Sequence, residues 1–281
     1  MDPNELLETA LDAARAAAAL HHDHLGRHDT DAWAVKGRAD FVTETDREAE
    51  RRIVERIRTA FPDHAILAEE RADAGIAPGE SDWLWIIDPL DGTTNFLHGY
   101  PAYAVSIAVA RRGELRAGVV LSSATGEEWT AVRDGGAFKD GEPIRVSSVA
   151  AMPEALIGTG FPFKRPEMLP RYMHQLSAVL RATAGVRRAG SAALDLAHLA
   201  TGWFDGFWEL WLAPWDIAAG TLIVREAGGI VTTPAGDDVD LARGGAVLAG
   251  NPSIYRALRG LLADSVVGRG GDDGEDAIHA R

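Results

Sequence analysis

Apolar residues in the first 25 positions recur at helical spacing, with Leu6, Leu7, Ala10, Ala14 and Ala17 near one face and Pro3 or Asn4 at the start of an amphipathic helix. The same period returns in "ETDREAERRIVERIRTAF", through Ala49, Ile53, Ile57 and Phe61, where Thr45 followed by Glu48 reads as an N-cap with its acid. Two short apolar runs come next: "HAILAEE", ending on Glu69 and Glu70, and "WLWIID", ending on Asp88. The stretch Trp83 to Ile87 is apolar enough for a strand buried on both faces, and Pro89 is expected to break it into a turn. "AYAVSIAVARRGELRAGVVL" predicts two strands joined at Arg112 and Gly113, and "EEWTAVRDGGAFKDGEPIRVS" adds hairpin material around paired glycines. Helical period resumes in "GSAALDLAHLATG" and "WDIAAGTLIVREAGG", each closing on glycine, with "GIVTTP" and "GAVLAGN" as short strands. Helices, then antiparallel sheet, then helices mixed with strands indicate an α+β or layered sandwich, not a strictly alternating α/β chain. A break falls near 145–155, no internal repeat is present, and the glycine- and acid-rich tail "GRGGDDGEDAIHAR" is expected to be disordered.

Composition narrows the class. A chain of 281 residues, 46% hydrophobic, can fill one large core or two intimate halves. The formal charge of −14 argues against a nucleic-acid or anionic-membrane surface, whose phosphates require cations that the acids here outnumber. With no cysteine, disulfides and zinc–thiolate sites are excluded, and a reducing cytoplasm is the expected compartment. The N-terminus lacks the basic start and apolar core of a signal peptide, and no apolar run approaches the roughly 20 residues of a membrane helix. A soluble, unexported protein is expected.

Several motifs fall short of the chemistry they suggest. "GTGFPF" at Gly158 lacks the third glycine of a dinucleotide loop and has a proline where the helix would begin, so it reads as a strand end and turn. There is no Walker loop. "HHDH" at His21 to His24 ends a helix among solvated neighbours, and "DDGED" lacks the spacing of a calcium loop.

The acids near Pro89 differ. Two carboxylates on a tight turn, Asp88 and Asp91, repel each other unless a cation sits between them, although a capped turn with solvated aspartates would share the same sequence. Gly92 permits close backbone approach, and Thr93, Thr94 and Asn95 can open a short helix whose free N–H groups face an anion. Acids beside an anion cradle imply a phosphate, and an all-oxygen donor set favours magnesium over zinc. Glu69 and Glu70 after one strand, and Asp216 at the start of an apolar helix, repeat the design, although each alone is an ordinary surface acid or helix cap.

"WIIDPLDGTTNFLHGYP" and "WDIAAGTLIVREAGG", with "DFVTETD", "LAEE", "GTGFPFK" and "GSAALDLAHLATG" in order between and around them, resemble the inositol monophosphatase family of magnesium-dependent, lithium-sensitive phosphatases, kin of fructose-1,6-bisphosphatase and the bisphosphate nucleotidases. The resemblance covers nearly the whole chain and implies a five-layered αβαβα sandwich. Its N-terminal half, 1–148, would carry most metal ligands, and its C-terminal half, 149–265, the substrate loop and last ligand, with 266–281 left as tail. It implies a first Mg²⁺ held by Glu69, Asp88 and the Leu90 carbonyl, a second by Asp88, Asp91 and Asp216, and a weaker third near Glu69 and Asp46. A water positioned by Glu69 and Thr93, with Asp46 in support, would be the nucleophile. The phosphate would be gripped by the N–H groups of Gly92 and Thr93, with substrate contacts also at Asp91, Gly190, Ser191, Ala192, Glu209 and Asp216. Lys36 and Asp40 match a mobile loop over the site.

The resemblance implies hydrolysis of inositol 1-phosphate or another small phosphorylated polyol by a cytoplasmic homodimer. Histidinol phosphate is the runner-up substrate, followed by fructose 1,6-bisphosphate and adenosine bisphosphate. A non-catalytic RNA-related regulatory role belongs to a different class, and the intact acid set and negative charge weigh against it. One departure touches the substrate: Trp211 stands where the family usually keeps a small glycine.

Overall fold

The computed structural model describes residues 2–25, 34–37, 40–42, 44–70 and 81–267. Its elements are α1 (Pro3–His24), β1 (Ala34–Gly37), β2 (Asp40–Val42), α2 (Glu44–Ala60), β3 (Ala65–Ala68), β4 (Trp83–Asp91), α3 (Thr93–Leu97), β5 (Ala104–Arg111), β6 (Glu114–Ser122), β7 (Glu128–Val132), β8 (Gly136–Lys139) and β9 (Glu142–Pro143). There follow β10 (Leu156–Thr159), α4 (Leu169–Ala182), β11 (Gly185–Arg187), α5 (Ala192–Ala200), β12 (Gly206–Leu212), α6 (Pro214–Glu226), β13 (Ile230–Thr232), β14 (Gly245–Gly250) and α7 (Pro252–Val267).

Strands β3 to β9 form one sheet in chain order, parallel only at β3–β4, which accounts for the antiparallel character read in the central third. The β5–β6 hairpin turns on Arg112 (φ 51°) and Gly113 (φ 81°), the two positive-φ residues that a two-residue turn of matching twist requires. The second sheet has the order β11-β10-β12-β14-β13 and is mixed, with β10 parallel to β11 and β12.

Five layers result. Helices α1 and α2 bury Leu6, Ala10, Ile53 and Ile57 against one face of the seven-stranded sheet. Helices α5 and α6 lie between the two sheets, and α4 and α7 cover the outer face of the five-stranded one. Helix α6 is apolar on nearly every side, as a helix packed on several sides must be. Its small residues permit that packing: a Cβ at Gly118 of β6 would come within 3.2 Å of the Ala219 Cα, and one at Gly220 within 2.6 Å of the Leu196 Cβ of α5. This helix delivers Asp216 to the interior.

Helix α1 starts at Pro3 as expected, and Asp2 before it supplies the cap, accepting from the Asn4 N–H at 2.9 Å. Some expectations need correction. Helix α2 begins at Glu44, so Thr45 lies inside it, its hydroxyl 3.0 Å from His24 Nδ1. Pro89 does not end β4, which runs to Asp91 across a bulge. His21 is fully buried, so the "HHDH" run is not a uniformly solvated cluster. Strand β12 and helices α4 and α7 were not anticipated. Of the expected disordered tail, 266 and 267 complete α7, and 268–281 fall outside the described residues.

Candidate active site

The bulge in β4 explains how Asp88 and Asp91 come together. Residues three apart in a regular strand point to opposite faces. Here Asp88 pairs with Ser106 and Asp91 with Ala104, so β4 spends one more residue than β5 between those two pairings, and the two carboxylates turn to the same side. Pro89, which has no N–H to give to the ladder, is suited to that irregularity. Helix α6 adds Asp216, and one oxygen from each of Asp88, Asp91 and Asp216 lies within 4.8 Å of the others.

Each acid is held. The Leu90 N–H donates to Asp88 Oδ1 at 2.9 Å. Asp91 Oδ2 accepts from the Ser191 hydroxyl at 2.6 Å and from the Ala193 N–H at 2.7 Å, at the start of α5. Asp216 Oδ2 accepts from the Ala213 N–H at 2.7 Å. Burial, then repulsion from Glu69, Asp91 and Asp216, pushes Asp88 well above the usual carboxylate range. Burial and the charge of Asp91 raise Asp216 to about 7. Burial also raises Asp91, opposed by its bonds to Ser191 and Ala193 and by the charges of Lys164 and Arg188. Three converging carboxylates that resist ionisation without a counter-charge, offering only oxygen donors, fit a hard divalent cation such as Mg²⁺.

These acids open on a cavity of ≈ 720 Å³, lined also by Glu69, Leu90, Gly92, Thr93, Gly190, Ala192 and Glu209. Glu69 stands outside the tight three-acid group but adds to the field on Asp88. The Thr93 hydroxyl lies 3.1 Å from both Asp46 Oδ1 and the Leu90 carbonyl, which ties α2 to the cavity lining. Gly92 has φ 95°, and a Cβ there would approach the Ala102 carbonyl to 2.8 Å, so only glycine seats the chain against the 102–103 backbone. Asp46 and Ser191 are buried and hydrogen-bonded to residues of the lining, Asp46 accepting from Thr93 and Ser191 donating to Asp91. Asn95 is committed to structure: its amide donates to the Ala102 and Ala189 carbonyls. Glu70 also lines the cavity, and its N–H donates to the buried Glu50 at 2.6 Å. Glu209 reaches the cavity from β12, and burial followed by the charges of Asp195, Asp216 and Asp91 pushes its pKa well up. The side chains of Lys36 and Asp40 lie outside the described residues.

The sequence reading singled out Trp211, which lines the cavity, but missed Phe161, Phe163, Lys164, Arg165, Arg188 and Trp215 around it. The available signal was the Lys164–Arg165 pair directly after "GFPF", at the end of β10 where a parallel strand opens onto a crevice. Asp195 was also passed over; it is buried in α5, and burial with the nearby Asp91 raises it well above the usual range.

A relative from Pseudomonas aeruginosa named Nus factor SuhB is 45% identical over 255 residues, spanning 90% of this chain and 94% of its own. An inositol-1-monophosphatase from Rhizobium meliloti is 46% identical over 229 residues, 82% of this chain and 85% of its own. The solved inositol monophosphatase of Anabaena (Nostoc) superposes with a TM-score of 0.82 at 38% identity, covering 92% of this chain and 95% of that one. The sequence pattern of the inositol monophosphatase family matches residues 2–267, and with the layered fold and the acid-lined cavity in agreement, the chain belongs to that family.

Proposed function

We propose that the protein is a magnesium-dependent phosphomonoesterase that hydrolyses inositol 1-phosphate. The observation that carries this reading is the convergence of Asp88, Asp91 and Asp216 within 4.8 Å in a cavity also lined by Thr93, whose hydroxyl lies 3.1 Å from Asp46 Oδ1. These three acids, with Glu69 and the Leu90 carbonyl, would hold two or three Mg²⁺ ions. When bound, the ions neutralise phosphate charge, polarise the phosphoryl group and favour water in its ionised form. Thr93, fixed by Asp46, orients the attacking water, and Glu69 accepts its proton. The water oxygen attacks phosphorus opposite the ester oxygen, the phosphorus–oxygen ester bond breaks, and the leaving alkoxide oxygen takes a proton from a solvent water, whose hydroxide is neutralised by the proton that Glu69 later releases. The N–H groups of Gly92 and Thr93 hold the phosphate oxygens, while Asp91, Glu209 and the Gly190 to Ala192 segment receive the hydroxyls of the polyol. Ser191 serves this indirectly, by fixing Asp91.

A cytoplasmic, lithium-sensitive homodimer is part of the same reading. Among the described residues no helix is long and apolar enough to cross a membrane. The name of the Pseudomonas aeruginosa relative, Nus factor, favours a second role in an RNA-related regulatory assembly. With a charge of −14, such a role would run through protein contacts before RNA contacts.

The test is phosphate release with Mg²⁺ from inositol 1-phosphate, histidinol phosphate, fructose 1,6-bisphosphate and adenosine bisphosphate, compared by kcat/KM. Inositol 1-phosphate is expected to lead histidinol phosphate, and a tenfold lead by histidinol phosphate would overturn that choice. Asp91→Asn should lower turnover by about three orders of magnitude, as expected when a residue that would hold a charge-stabilising ion is lost. A folded Asp91→Asn protein with normal turnover would remove the metal assignment.

A further inference from the structure

The cavity is lined by groups of both charges. Its acids come from β4, α6 and the end of β3, and its cations are Lys164, Arg165 and Arg188. Two of these cations already act on the acids: Lys164 lowers Asp91 and Asp216, and Arg188 lowers Asp91, Asp195 and Glu209. Arg188 also lies over Phe161 and Phe163, at 5.3 and 5.1 Å from the ring centroids.

Arg165 is different. Its guanidinium carbon sits 4.3 Å from the centroid of Trp211, and it has no carboxylate partner among the described residues. Its backbone is fixed in the turn after β10, where its N–H donates to the Pro162 carbonyl at 3.1 Å and its carbonyl accepts from the Met168 N–H at 3.0 Å. A guanidinium held over an aromatic ring by cation–π attraction keeps N–H groups for an anion, which they can bind in the two-pronged way that suits phosphate or carboxylate. Trp211 follows Glu209 by two residues on β12, and both line the cavity, so the pair stands beside the acid assigned to the polyol. A volume of ≈ 720 Å³ lies in the range that encloses drug-sized ligands and exceeds the needs of a polyol with a single phosphate. A neutral alcohol would leave this guanidinium without a counter-charge in the occupied site.

We infer that Arg165, held over the Trp211 ring, binds a second anionic group on the alcohol half of the substrate, so that the site prefers phosphomonoesters whose alcohol carries a further phosphate or carboxylate. This inference rests on the phosphomonoesterase reading above. Arg165 makes the contact, and Trp211 is a positioning residue that holds the guanidinium over its ring.

Matched substrates separate the two anion types. With Mg²⁺ present, kcat/KM is measured for inositol 1-phosphate against inositol 1,4-bisphosphate, and for glycerol 2-phosphate against 2-phosphoglycerate. In the parent protein at least one pair should favour the doubly anionic member by about tenfold or more, the gain lying in KM, and the pair showing it identifies phosphate or carboxylate as the group read. Arg165→Gln should bring that ratio down about tenfold, Trp211→Leu should lower it less, and Arg165→Lys should restore part of it. Reading ratios within one variant cancels any general loss of folding or turnover. Equal ratios in the parent and Arg165→Gln proteins overturn the inference while leaving the phosphatase reading intact. No phosphate release from any of the four substrates overturns both.

Discussion

At the scale of the residue, the position of Glu209 depends on what is missing opposite it. Any Cβ at Gly160 would fall within the Glu209 carboxylate, so an alanine must displace that side chain or the backbone beside it. Glu209 is assigned to the alcohol, and losing one hydrogen bond to a charged group costs about 1.5–3 kcal/mol. Gly160→Ala is therefore expected to reduce kcat/KM for inositol 1-phosphate by roughly tenfold to a hundredfold, mostly through KM, in steady-state assays paired with a urea-unfolding control. Parent kinetics from this variant would show that Glu209 does not touch the alcohol. Asp88 and Asp91 were legible in sequence because they directly follow an apolar run. Their convergence was not legible, because the bulge that turns them to one side is defined by register with β5. Arg165 was passed over for a similar reason: its significance depends on Trp211, which only the packing of β12 beside β10 brings near.

At the scale of the element, period served well where one face is apolar and poorly where burial is complete. Helices α1 and α2 announced themselves through a stripe, whereas "GFWELWL" in β12 has large side chains on both faces and no clean alternation. Helix α1 also carries a buried polar contact that no pattern reveals. His21, in its last turn, is fully buried with Nδ1 2.9 Å from the Ser123 hydroxyl, just beyond β6, and its ring centroid lies 5.8 Å from that of Phe96 in α3. Burial, with a smaller contribution from the charge of His24, lowers its pKa to about 3. The unfolded chain takes up this proton near the ordinary 6.5, so between about 6.5 and 3 the unfolded state binds more protons. The contribution is therefore full above about pH 6.5 and declines as the pH falls, by at most about 1.4 kcal/mol per unit. In urea unfolding from pH 7.5 to 4.5, His21→Gln should lose stability less steeply than the parent. Coincident slopes would mean that His21 takes up its proton in the folded protein as readily as in the unfolded one.

At the scale of the whole molecule, the site is a junction between layers. Asp46 comes from α2 on the outer face of the seven-stranded sheet, Asp88 and Asp91 from that sheet, Asp216 from α6 in the middle, and Glu209 from the second sheet. The layer order followed from resemblance alone, because a helix as uniformly apolar as α6 does not declare which sheet it faces. The junction has an energetic consequence. In the chain without metal, Asp88, Asp91 and Asp216 repel one another across elements that folding has brought together, while an unfolded chain separates them. A cation that binds only this folded arrangement stabilises every layer at once, by about 2.7 kcal/mol at a hundredfold excess over its Kd. For a chain of this size that corresponds to a rise in Tm on the order of 5–10 °C, measured by thermal unfolding in Mg²⁺ against EDTA. Asp216→Asn should separate the two effects. In EDTA it removes repulsion and is expected to unfold no earlier than the parent, yet in Mg²⁺ it should lose most of the rise. An equal rise in both proteins would place the stabilising ion somewhere other than between these three acids.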